Sequence, residues 1–213
     1  RGVNFKMLAQ SKLCLAAQKL AKIQMQFAKS GRTLNEAALC GAKDFVEWQH
    51  YPSNDLADLN SGYEFYYHAH SANEMPDGEH GHFHVIKRDA QSFHHLVGIA
   101  LNQKGLPTRL FTTNQWVTGE EMIDSVATIK FVKEFDMVVK GRMTPVSNWV
   151  GALIQLFSVE IEKLIVERDQ KIASIEAEFG GLEMVLSSRR HHVLTECKID
   201  LLDRLSEHLL VVN

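Results

Sequence analysis

Three cysteines in 213 residues, Cys14, Cys40 and Cys197, stand far apart with no Cys-x-x-Cys pair. That excludes a disulfide framework and a thiolate zinc site, and it fits a reducing compartment in which the thiols are small buried apolar groups. Charge of one sign is lacking as well: 23 basic against 26 acidic residues give a formal net charge of −3, with no broad basic field for DNA or RNA. No nucleic-acid partner is expected. No run reaches the roughly 18 apolar residues that span a bilayer, so no membrane partner is expected and the chain reads as soluble, with the cytoplasm as the default location. The start, Arg1-Gly2-Val3-Asn4-Phe5-Lys6, has neither an initiator Met nor a signal-peptide core and reads as a trimmed end. Internal repeats and low-complexity tracts are missing too. The length suits one compact domain without a second catalytic one.

What is present divides into three stretches. Residues 1–50 read as N-terminal helices packing on the core: Leu13, Ala16, Leu20, Ile23 and Phe27 recur at helical spacing with lysines between them, and Ser30-Gly31 ends that helix. A second helix opens after Thr33, with Glu36 as capping-box partner, and runs toward Trp48. Residues 51–140 read as a β-sheet core and a following helix. Tyr51-Pro52-Ser53-Asn54-Asp55 marks a loop, and strands follow at Tyr63 to His70, His80 to Lys87, His94 to Leu101 and Thr108 to Thr113. Thr118 and Glu121 form a capping box opening a helix through Phe135. Residues 141–213 read as a C-terminal antiparallel helical hairpin: Thr144-Pro145 opens one helix that Gly180-Gly181 stops, and the second runs from about Glu183 to Leu209. The fold class is therefore α+β, with a four-stranded antiparallel sheet flanked by helices. The apolar period over 146–179 suits pairing within the chain or a homodimer.

Five histidines fall between His68 and His84, in Tyr66-Tyr67-His68-Ala69-His70 and Glu79-His80-Gly81-His82-Phe83-His84. Within each run they are spaced by two, so on strands His68 and His70 share one face, as do His80, His82 and His84. Phe65, Tyr67, Ala69, Phe83 and Val85 take the opposite, packing face. If the register sets His70 opposite His80, then His68 faces His82 and Tyr66 faces His84. Opposed Cβ atoms lie about 4.5–5.5 Å apart, close enough for imidazoles of both strands to reach one ion at about 2.0–2.1 Å. The candidate metal ligands are accordingly His68, His70, His80, His82 and His84. Zinc comes first, and iron, copper or manganese suit histidine with a carboxylate.

Tyr66, Glu79 and Glu64 are the candidates for moving protons or fixing a histidine tautomer. Of the adjacent pair His94-His95 only one can face the cluster, and Gly98 and Ala100 beside it would leave room for a ligand. His94, Arg109 and Asn114 are the candidate substrate contacts, Arg109 as an anion clamp and Asn114 within Thr112-Thr113-Asn114-Gln115-Trp116. The plainer alternative is a polar strand pair holding nothing. Five imidazoles packed with neither metal nor acid would repel on protonation and lose stability as pH falls through about 6.5.

Two resemblances attach to these residues. His80-Gly81-His82-Phe83-His84-Val85-Ile86 is similar to the signature of histidine-triad nucleotide hydrolases and transferases, which would make His82 a nucleophile toward phosphate. Gly81 departs from that pattern, and more than 120 residues follow it. Over roughly residues 45–125, Trp48-Gln49-His50-Tyr51-Pro52, the two histidine runs and Leu110-Phe111-Thr112-Thr113-Asn114-Gln115-Trp116-Val117-Thr118-Gly119-Glu120 together resemble an uncharacterised bacterial family, a domain of unknown function. That resemblance implies no activity.

The functional expectation is a metal-binding protein with a histidine-rich hairpin, acting on a small molecule by metal-assisted hydrolytic or oxidative chemistry. A non-catalytic metal-handling protein is the rival class, distinguished by a closed shell of four protein ligands.

Overall fold

The structure, a computed structural model, describes residues 2–40, 49–69 and 78–209. The N-terminal helices are α1 (Gly2–Lys29) and α2 (Leu34–Ala38). Five strands follow: β1 (Tyr51–Asp58), β2 (Tyr63–His68), β3 (Glu79–Arg88), β4 (Phe93–Asn102) and β5 (Pro107–Thr113). The remainder is α3 (Gln115–Thr118), α4 (Ser125–Lys133), α5 (Thr144–Leu156), α6 (Ser158–Phe179), α7 (Leu182–Leu186), β6 (Val193–Lys198) and α8 (Leu201–Leu209). The second helix does carry its capping box, with Thr33 Oγ1 accepting from Glu36 N and Glu36 Oε2 from Thr33 N. Its expected run toward Trp48 lies outside the described residues.

The mixed α+β class stands, but the sheet is larger than expected: six antiparallel strands in the order β1-β2-β3-β4-β5-β6. The fifth and sixth strands come from segments read otherwise. β1 arises from the supposed loop at Tyr51-Pro52-Ser53-Asn54-Asp55. It lies at the sheet edge, where a proline's missing N–H is tolerated. β6 arises inside the supposed final helix. The spacing of Val193, Cys197 and Leu201 fits a helix, yet β-branched Val193 and Thr195 favour extended backbone, and the segment pairs with β5 from Arg109↔Lys198 to Thr113↔Val193. Among the described residues the expected second arm of the C-terminal hairpin is thus broken into α7, β6 and α8. α6 instead packs on α4, α7, β5 and β6.

Two helix boundaries also move. Thr118 ends α3 rather than opening a helix, and Asp124 caps α4 by accepting from Ala127 N at 2.8 Å. The long pattern from Thr144 to Phe179 divides at Phe157, whose φ of −109° and ψ of 24° interrupt the helix.

The alternation along the strands decides which face is core. Phe65, Tyr67, Phe83, Val85, Val97, Ile99, Leu101 and Leu110 join Leu20 of α1, Trp149 of α5, Ile161 of α6 and Leu205 of α8 in one buried cluster. Trp149 packs on Phe83 with ring centroids 6.1 Å apart. Each such side chain contributes about 1.5–3 kcal/mol when fully buried. That fixes the sheet against the helices and sends His68 of β2 and His82 and His84 of β3 to the other face.

Candidate metal centre

In the observed register Tyr66 pairs with His84 and His68 with His82. The cross-strand pairing puts His68 Nε2 3.2 Å from His82 Nε2. Two nitrogens on one tetrahedral zinc ion sit about 3.3 Å apart when each bond is about 2.0–2.1 Å. His84 completes a buried group in which one ligand atom from each of the three histidines lies within 4.8 Å of the others. All three are buried, His84 to 1% exposure. Tyr66 leans over them, its ring centroid 5.5 Å from His68 and 5.1 Å from His84.

Gly98 pairs with His84 on one side and Phe111 on the other. The space expected beside it is filled. Phe111 lies across that glycine and meets His82 and His84 edge-on at 5.2 and 5.9 Å.

Two irregularities in the β3–β4 pairing decide which other histidines take part. The first falls between Glu79 and Gly81. His80 is not drawn into the cluster; its Nδ1 lies 2.7 Å from Tyr67 Oη, and Tyr67 belongs to the core face. Gly81 allows this close approach, since a Cβ there would lie 2.6 Å from Tyr67 Oη and 2.7 Å from His68 O. Among the described residues the convergent group is His68, His82 and His84, and His80 of the histidine-triad-like run is not in it.

The second irregularity falls between Val85 and Ile86 and adds Leu96 to β4. A bulge of this kind shifts the alternation by one residue. His95, not His94, then reaches the cluster, with its Nε2 2.9 Å from His84 Nδ1. His94 bonds instead to Glu121 O at 2.7 Å and Asp89 Oδ2 at 3.2 Å, and it stacks on Phe131 of α4.

The other predicted residues are committed elsewhere. Glu64 forms a two-point ion pair with Arg88, at 2.9 and 2.6 Å. Glu79 does the same with Arg109, at 2.6 and 3.0 Å, and Arg109 also binds Glu196 at 2.6 Å. Neither carboxylate is placed to serve the cluster, and Arg109 is neutralised from two sides. Asn114 is a structural cap: Oδ1 accepts from Gln115 N and Nδ2 donates to Val185 O. His70 lies outside the described residues.

Two residues of the site were not among the candidates. His95 was hidden by the bulge. His50, in the Trp48-Gln49-His50-Tyr51-Pro52 segment, stacks on Tyr66 at 3.8 Å with 9° between the rings, and its ring centroid is 5.6 Å from that of His68. Its only signal in the sequence was its place in a segment shared with the resembled family.

Burial dominates the electrostatics. His84 is held well below the ordinary histidine range, first by desolvation and then by repulsion from His82, His95 and His68. Desolvation, with the nearby Arg168 guanidinium, pushes His95 down to about 3. Glu120, which accepts from the His95 main-chain N–H, is pushed up to about 8 by desolvation. His84 and His95 are thus neutral at pH 7, and a neutral imidazole keeps one lone pair for a cation or a hydrogen bond.

Residues 14–199 match the model of a family described as Domain of unknown function (DUF6969). The match is wider than the 45–125 stretch that carried the resemblance, taking in most of α1 and all of β6. No curated protein and no solved structure matches the chain.

Proposed function

We propose that this chain, which belongs to the DUF6969 family of unknown function, is a transition-metal protein whose ion is held by His68, His82 and His84, with zinc as the natural occupant. One observation carries the reading: imidazole nitrogens from adjacent strands converge within 4.8 Å in a buried position. Burying several imidazoles side by side is unfavourable unless their polar atoms are satisfied, and a shared cation does that for all three.

Three protein ligands leave one tetrahedral position for water or a small molecule, the arrangement of catalytic rather than structural zinc. A metal there supplies Lewis-acid character and lowers the pKa of a bound water. Tyr66 is the one predicted proton-moving residue that stays beside the ligands. His50, half-buried and stacked on it, extends the aromatic wall toward solvent. With Glu64 and Glu79 locked in ion pairs, Tyr66 is the group to orient or protonate a substrate oxygen.

The test is elemental analysis of protein purified without an immobilised-metal step, beside the double variant His68→Ala/His82→Ala. One equivalent of metal is expected in the parent and none in the variant. Iron, copper or manganese in place of zinc would change the ion but keep the site. A parent that carries no metal and takes up neither zinc nor cobalt ends the proposal. Azide added to the cobalt form is expected to alter its visible absorption; an unaltered spectrum would point to a closed shell and the metal-handling class.

A further inference from the structure

His84 has two ring nitrogens, and Nδ1 is in use. It lies 2.9 Å from His95 Nε2, and His95 Nδ1 lies 3.3 Å from Thr113 Oγ1. All three residues are buried, with exposures of 1%, 3% and 1%. Between neutral rings the protons of such a chain can run in either of two directions. In one, Thr113 donates to His95 Nδ1, His95 donates through Nε2 to His84 Nδ1, and His84 carries its own proton on Nε2. A protonated Nε2 has no lone pair for a metal. In the other, His84 donates through Nδ1 to His95 Nε2, His95 donates through Nδ1 to Thr113 Oγ1, and His84 Nε2 is left as a lone pair.

We propose that His95 and Thr113 are positioning residues that set this second direction, and so fix the tautomer in which His84 can bind the ion. The construction around His95 supports a dedicated role. The bulge at Leu96 turns its ring to the histidine face, and Glu120 Oε2 accepts from its main-chain N–H. Thr113 is the last residue of β5, anchored on its far side by pairing with Val193 of β6. Two neighbouring strands thus bring an acceptor to His84 and a second acceptor to His95. Orientation of a metal-binding histidine through its other nitrogen ordinarily changes affinity by about 10–100-fold.

The consequence for affinity rests on the metal reading, but the tautomer does not, so the two can fail separately. In metal-free full-length protein with 15N-labelled histidine, long-range 1H–15N spectra are expected to show His84 protonated on Nδ1. The same is expected in His95→Gln, whose amide oxygen can accept, but not in His95→Leu. Cobalt binding, measured by competition with a chelator, should weaken about 10–100-fold in His95→Leu and Thr113→Val, with recovery in His95→Gln and Thr113→Ser. Should His95→Leu fail to fold, the Thr113 pair supplies both readouts. A proton on Nε2 of His84 in the parent overturns the proposal, and so do equal cobalt affinities across the variants. If the parent binds no cobalt, the metal site falls, while the His84 tautomer still decides the direction of the chain.

Discussion

Gly98→Ala is expected to destabilise the protein by about 3 kcal/mol, near the upper end of overpacking in a buried site. Its backbone is ordinary strand, so the effect is one of space. An ideal Cβ on Gly98 would lie 2.5 Å from Phe111 Cε1 and nearer still to Cε2 and Cζ. Phe111 has little room to yield: it is 1% exposed, His82 and His84 stand edge-on beside it, and the Arg109 guanidinium lies 4.7 Å from its ring centre. Phe111→Leu on its own should cost less, since part of the volume is kept. The double variant should be more stable than the sum of the single losses, because the smaller side chain admits the methyl group. Urea unfolding of the four proteins measures this. A Gly98→Ala protein within about 0.5 kcal/mol of the parent would contradict the packing described.

The second large effect is on pH. For the metal-free protein, stability should peak near pH 6.5 and fall on both sides. His84 and His95 have folded pKa values below the unfolded value of 6.5. Below that pH the unfolded chain binds protons that the folded one refuses, so stability is lost as pH falls, for His95 by about 1.4 kcal/mol per pH unit. Glu120 acts in the opposite sense. Its folded value of about 8 exceeds the unfolded 4.5, so its contribution is complete below 4.5 and is lost as pH rises toward 8.

Between pH 6.5 and 4.5 the two histidines together act against the one carboxyl, and stability falls as pH falls. From 6.5 to 8 Glu120 alone removes about 2 kcal/mol. Urea midpoints at pH 4.5, 6.5 and 8 check the shape, and His95→Gln should flatten the acid limb. A profile that rises steadily to pH 8 would show that these groups are not buried as described.

Much of the hairpin at the centre of the site was legible in the sequence. Tyr63 to Val85 alternates so regularly that one face is aromatic and the other histidine, and a shift of one residue would bury the wrong set. The observed pairing of His68 with His82 and Tyr66 with His84 is among those whose parity the alternation allows. What escaped was local irregularity. Pairing with β4 is broken at His80 and at Leu96; the strand glycines Gly81 and Gly98 can accompany such irregularities but do not say where they fall, so His80 was included, His94 was preferred and His95 was passed over. Partners far along the chain were equally invisible. Glu64 and Glu79 look like free carboxylates until the fold brings Arg88 and Arg109 to them. At β6 two periods compete within six residues, and the available edge of β5 decides between them.

β6 also has a consequence for how the molecule comes together. Strands β1 to β5 follow one another through short connections and can zip as a meander, whereas Val193 reaches Thr113 only after 80 further positions. Until then the outer rim of β5 shows unpaired amides and carbonyls, a template for any other extended chain. On a ribosome that interval lasts several seconds at about 5–20 residues per second, so the newborn polypeptide is most prone to aggregate between the emergence of Thr113 and that of Val193–Lys198.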